Sequence, residues 1–174
     1  MTGNKKLLFF MAEEDQNLYH LVRAMRELAV HLPIDAKFLR EMQNQDIDVL
    51  DRFVFRFAKT VDSMGKRLFP ELLATLGELD EQMFFRDMLN KLEKFGILNS
   101  AEAWNTYRDR RNGLTHEYPE AEEEKAAAIM DAYEISFHLI DIFVRLKVLL
   151  SERLGIATQD LALPNIDRLP RYQQ

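Results

Sequence analysis

Between Ile135 and Leu150 apolar side chains fall on almost every side of a helix: Ile135, Phe137, Leu139, Ile140, Ile142, Phe143, Val144, Leu146, Val148, Leu149 and Leu150. A helix apolar nearly all round needs cover nearly all round, so this one is either central in a bundle or shared with a second subunit. Asp141, Arg145 and Lys147 interrupt the pattern and predict a narrow wet stripe. Upstream, Pro119, Glu120 and the run Glu122-Glu123-Glu124 mark the start. Acidic residues there complement the positive end of the helix dipole, which explains them better than a metal site does. Gly155 is the expected stop.

The rest of the chain repeats the helical period. Leu18, Leu21, Val22, Met25, Leu28 and Leu32 form one stripe, ended by Pro33. Leu50, Phe53, Val54, Phe57, Val61, Met64 and Leu68 form a second. Phe55 lies off it, as if that helix touched neighbours on two sides. Pro70 either kinks this helix or starts a short continuation through Leu76, with Gly77 as the stop. Phe85, Met88, Leu89, Leu92 and Phe95 make a third stripe, capped by Gly96. Asn99 or Ser100 can cap the next helix, which opens at Ala101-Glu102 and runs through Trp104 and Tyr107 towards Arg111. Gly and Pro number only 6 and 5 in 174 residues. The expected fold is all-α, with short connections making successive helices antiparallel neighbours in a four- to five-helix up-down bundle. One domain over residues 1–155 is expected, followed by an extended tail, 156–174. Pro164 and Pro170 interrupt that tail, and Leu161, Leu163, Ile166 and Leu169 could pin it to a groove.

Several chemistries are excluded at once. Without cysteine there are no disulfides, thiolate zinc sites or cysteine nucleophiles, which accords with the cytoplasm as the expected location. The apolar run Leu7 to Ala12 is too short for a signal-peptide core, and no stretch approaches the length needed to cross a bilayer. The chain has no phosphate-binding glycine loop, no G-x-S-x-G elbow, no H-E-x-x-H and no Glu-x-x-His pair. Glu134 and His138 alone resemble a surface contact more than a ligand set. Asp46, Asp48 and Asp51 sit where a helix cap needs them, and His20 and His31 have no evident partners. The formal net charge is −6, so any nucleic-acid contact must be local. A basic stretch fits that description: Arg52, Arg56, Lys59, Lys66 and Arg67 stand against the single anion Asp62. A solvated helix face would read the same way.

Arg108-Asp109-Arg110-Arg111-Asn112-Gly113-Leu114-Thr115-His116-Glu117-Tyr118 is the segment whose residue types make chemical sense together. Arginine offers a planar fork for a phosphate, and histidine can move a proton near neutral pH. Asn112-Gly113 permits a sharp change of direction, with the three arginines in the last turn of a helix and Arg111 close to His116; if the helix instead persists past Arg111, the two side chains point to adjacent sectors. Arginines there also complement the negative end of a helix dipole, so a purely structural role stays open.

The pattern Arg-Asn-x-x-x-His-x-Tyr, at Arg111, Asn112, His116 and Tyr118, resembles the Arg-x4-His-x-Tyr signature of HEPN proteins. Among these it is closest to the HepT-type toxins and the related nucleotidyltransferase substrate-binding proteins. The stretch Phe95-Gly96-Ile97-Leu98 before the Trp104 helix resembles the same family, and the likeness spans roughly residues 15 to 150. The resemblance implies a HEPN-like bundle that forms homodimers and cleaves RNA without metal or cofactor. Arg111 would hold the scissile phosphate, His116 would act as general acid or base, and Asn112 would orient the phosphate or the histidine. Arg108 and Arg110 would add weaker phosphate contacts. It further implies a toxin–antitoxin pair in which a small cognate nucleotidyltransferase adds AMP to Tyr118, setting negative charge beside Arg111 and His116. Two alternatives remain: a non-catalytic partner subunit of such a transferase, and a structural helical adaptor.

Overall fold

A computed structural model describes residues 2–115, 121–157 and 166–172. Among the described residues the chain is all-α, with no strand. Helix α1 spans Thr2–Ala29, α2 Ala36–Glu41, α3 Asn44–Ser63, α4 Phe69–Thr75, α5 Phe85–Lys94, α6 Ala101–Thr115 and α7 Glu122–Leu154. Helix α1 begins well before Leu18, the first residue of the expected stripe. The reason lies in register: Leu7, Met11 and Glu14 continue, at spacings of four and three, the face that carries Leu18, Leu21, Met25 and Leu28. Leu7 and Met11 are buried with that face, and so is Glu14. The N-terminal apolar run therefore contributes Leu7 and Met11 to the core.

Helices α3 and α4 are continuous through a π-helical turn, Met64–Leu68, in which the Phe69 N–H reaches back to the Met64 carbonyl. Pro70 follows directly. A proline inside an α-helix clashes with the carbonyl four residues back, and the wider π turn supplies the room that lets the helix run on instead of breaking. Leu76 and Gly77 end it as expected, with the Glu78 N–H bonded to the Leu73 carbonyl at 2.8 Å. Ser100, rather than Asn99, caps α6: its Oγ accepts the Ala103 N–H at 2.9 Å. Asp46 closes a capping box with Gln43 at the start of α3. Glu122, Glu123 and Glu124 form the first turn of α7, where Glu122 also accepts from Arg40 at 2.8 Å.

Helix α7 is the central element. It packs against α1, α2, α3 and α6, and Phe137, Leu139, Phe143, Leu146 and Leu150 are almost completely enclosed. Its exposed stripe is His138, Asp141, Val144, Arg145 and Val148. Lys147, expected in the wet stripe, is buried instead, its ammonium 2.7 Å from Asp15 of α1 and over the Phe143 ring. Its apolar stem lies along the core while its head finds a carboxylate. Helix α3 does touch several neighbours, packing against α1, α6 and α7, but the off-stripe Phe55 ring is itself 58% exposed. Of the tail, Leu169 is buried and Ile166 packs on the core. Arg171 lies 3.9 Å from the Phe137 ring centre, and the Tyr172 N–H bonds to Glu134. Leu161 and Leu163 lie outside the described residues.

Candidate active site

Helix α6 passes straight through Arg111, Asn112 and Gly113 and continues to Thr115. Of the two courses open to the chain at Asn112-Gly113, it takes the continued helix rather than the bend, and Gly113 is not among the positive-φ glycines. The three arginines accordingly sit one to two turns before Thr115, and helical geometry separates them. Arg108 and Arg111, three apart, share a face; Arg110 does not. Arg110 turns to α7 and pairs with Asp131, beside Tyr107 and Glu134. It is thus removed from the phosphate-binding group in which the sequence placed it.

Arg111 projects towards α3. Its Nη2 pairs with Asp62, and its Nη1 donates to the Asn112 Oδ1 at 3.0 Å. Lys66, one turn along from Asp62, approaches the same carboxylate at 3.1 Å. Asp62 faces α6, while its neighbour Ser63, about 100° round the helix, donates from Oγ to the buried Glu14 at 2.5 Å. The Arg111–Asp62–Lys66 group forms a ridge between two hollows. One, of about 360 Å³, is walled by Trp104, Phe85, Pro70, Gly65, Arg108 and Asn112. The Arg108 guanidinium lies 4.7 Å from the Phe85 ring centre. Trp104 is fully buried, edge-on to Phe69, and its indole N–H has no partner. The other hollow, of about 470 Å³, is bordered by Phe55, Lys59, Arg67 and Thr115. Arg67 is engaged by Glu13 at 3.0 Å. Beyond Lys59 the cationic surface continues to Arg56 and Arg23. His20 beside them is held below its ordinary pKa by burial, and further by these three cations.

Three site residues of the sequence reading, Arg108, Arg111 and Asn112, come together here, joined by Lys59, Lys66 and Arg67 of the basic stretch. His116 and Tyr118 lie outside the described residues. Asp62, Trp104, Phe85 and Phe55 were not anticipated as site residues. The only signal for Asp62 was its isolation among five cations; Phe85 read as an ordinary stripe member, Trp104 as part of its helix, and Phe55 as a residue off its stripe. The remaining histidines stand elsewhere: His31 is 3.5 Å from Asp46, and His138 shares a 2.8 Å hydrogen bond with the Tyr107 hydroxyl. No group of three or more His, Asp or Glu side chains among the described residues could hold a metal ion. No described helix is long and apolar enough to cross a membrane. No family model, curated protein or solved structure matches the chain.

Proposed function

We propose that this protein is a metal-independent endoribonuclease of the HEPN type, working as a homodimer and controlled by AMP addition at Tyr118. The observation that carries the reading is the placement of Arg111. The motif arginine stands on the ridge between two cation-lined hollows, with Lys66, Arg108 and Asn112 around it. An arginine fork held by carboxylate and amide partners is preorganised for a phosphate. In the proposed reaction His116 takes the proton of a ribose 2′-hydroxyl. The 2′-oxygen attacks the phosphorus, the bond to the 5′-oxygen breaks, and that oxygen leaves with a proton. The products are a 2′,3′-cyclic phosphate and a 5′-hydroxyl. Acid and base are needed together, and no described histidine lines either hollow, so the second proton carrier is assigned to the partner subunit's His116. AMP on Tyr118 would place phosphate charge near the arginine that RNA must use.

The test is incubation of the purified full-length chain with RNA in the presence of a chelator. Cleavage yielding 5′-hydroxyl ends is expected, with His116→Ala slower by about 100-fold or more. Equal cleavage by that variant would remove the catalytic assignment. A second arm adds the cognate nucleotidyltransferase and ATP; a mass gain in multiples of AMP on Tyr118 is expected, and label elsewhere would end the control model. The alternative of a non-catalytic transferase partner has one observation in its favour. Asp62 already occupies an edge of Arg111 on a chain of net charge −6, so RNA phosphate must compete with a resident anion. Under that alternative Tyr118 is modified while RNA is left uncut.

A further inference from the structure

We infer that the two hollows either side of Arg111 seat the two bases that flank the cleaved phosphate, so that the substrate is unpaired RNA taken as a splayed dinucleotide step. The inference rests on the ribonuclease reading and adds a substrate class and two base subsites to it. Three observations carry it. First, the hollows are separate but share one wall, the Arg111–Asp62–Lys66 ridge. A phosphate on a ridge between two recesses requires its neighbouring bases to point apart, which a base-paired stack does not allow. Second, each hollow offers a stacking surface: in one the Arg108 guanidinium laid over the Phe85 ring, in the other the exposed Phe55 ring with Lys59 lining the same hollow. Aromatic faces with adjacent Arg or Lys hold successive bases of a single strand. Third, Phe55 is 58% exposed on the polar side of α3, where its ring has no core role and lies 5.3 Å from the Arg56 guanidinium.

The two subsites differ in kind. The Phe85 hollow has a closed floor of Pro70, Gly65 and Trp104, and its size falls in the ~300–1,000 Å³ range of small-molecule sites. It limits the size and shape of the base it takes. Phe55 stands in the open and stacks any base, because every base has a π face. Five cations, Arg111, Lys66, Arg108, Lys59 and Arg67, line the two hollows with the single carboxylate Asp62, so the strip is locally positive on an acidic protein.

Trp104 is the only tryptophan, which makes the first hollow directly observable. The experiment titrates the full-length protein with a short 2′-O-methyl RNA, whose blocked hydroxyl prevents cleavage. Trp104 emission and the anisotropy of an RNA label are read together. The strand is tested alone, annealed to its complement, and against free AMP. Binding of the single strand with a change in Trp104 emission is expected, with the duplex at least about tenfold weaker. Phe55→Ala and Arg108→Ala should each weaken single-strand binding, the first by roughly 5- to 150-fold as expected for loss of one stacked base. Phe55 is exposed, so its replacement leaves the core intact. Equal affinity for duplex and single strand would overturn the inference, as would a silent Phe55→Ala or an emission change produced as well by AMP as by the strand. Cleavage with an unchanged KM in both variants would sink the subsites while leaving the nuclease standing. Strand binding at the hollows without any cleavage by the parent would do the reverse.

Discussion

Glu14 occupies a position that the α1 register reserves for an apolar side chain. It is wholly enclosed, with Oε2 accepting from Ser63 at 2.5 Å and from Asn17 at 3.4 Å, while Oε1 has no partner. Burial pushes its pKa up to about 7, against the lowering effects of the Ser63 and Asn17 hydrogen bonds and of Arg67. A carboxyl with a raised folded pKa binds more protons folded than unfolded. Stability therefore falls as pH rises from the ordinary value of 4.5 to about 7 and levels off above. The total is on the order of 3 kcal/mol. Glu14→Gln removes the titration and keeps the shape. The variant should be the more stable protein at pH 8, and its advantage should shrink towards pH 5, as read from urea midpoints at the two pH values. A constant difference between parent and variant across that range would show that the carboxyl is not the source. Asp62 works at the same scale and to the opposite end: one residue from Ser63, it faces the site and holds the Arg111 fork in place.

At the scale of the element, the α3–α4 run decides where the site can be. Its π turn aligns Asp62 and Lys66 towards α6 and brings Gly65 against Trp104. A Cβ added at Gly65 would lie 3.2 Å from the Trp104 Cζ2 and 3.6 Å from its Nε1. That contact is tighter than ordinary packing, and Trp104 is confined by Phe69 and Tyr107 at ring-centre distances of 4.7 and 6.0 Å. Gly65→Ala should therefore carry an overpacking cost of about 1–3 kcal/mol, offset by about 1 kcal/mol of helix propensity gained, for a net loss of stability, and should shift the Trp104 emission maximum as the indole moves. Gly96 is the contrast. It has φ +72° and nothing within 4 Å of an added Cβ. Gly96→Ala should cost about 1–2 kcal/mol from backbone strain alone and leave the emission unchanged. Denaturant unfolding with parallel fluorescence separates the two; equal emission shifts would refute the packing account.

At the scale of the molecule, the C-terminal residues close over α7. Leu169 is buried, Arg171 covers Phe137, and the Tyr172 N–H reaches Glu134. Tyr133, alongside, has a buried hydroxyl whose pKa is raised by burial. Truncation before Ile166 should uncover this face and cost roughly 2 kcal/mol for the one buried leucine, lowering Tm by about 4–8 °C for a chain of this size. An unchanged Tm would mean that the tail rests on the bundle without stabilising it. These contacts lie on the α6–α7 side that holds Arg110 and His138, and the Arg111 ridge faces α3. Truncation therefore separates stability from the proposed RNA binding.

Helical stripes, glycine stops and caps were legible in the sequence, because periodicity and helix termini depend on residues within a turn or two. Gly77, Gly96, Ser100 and the acidic start of α7 all act as local chemistry requires. The same locality explains what was misread. Whether α6 ends at Asn112-Gly113 or runs on is decided by contacts elsewhere along it, with Leu114 beyond the dipeptide buried, and these overcome a helix-propensity penalty of about 1–2 kcal/mol. Whether Lys147 meets water or Asp15 depends on a residue 132 positions away. The sequence by itself determined an all-α chain and singled out Arg111. Only the tertiary structure decided that Asp62 and Lys66 would stand beside that arginine, that Arg110 would pair with Asp131, and that Phe85 and Phe55 would flank it. Each of those relations joins separate helices, and their side chains meet only once the bundle has packed.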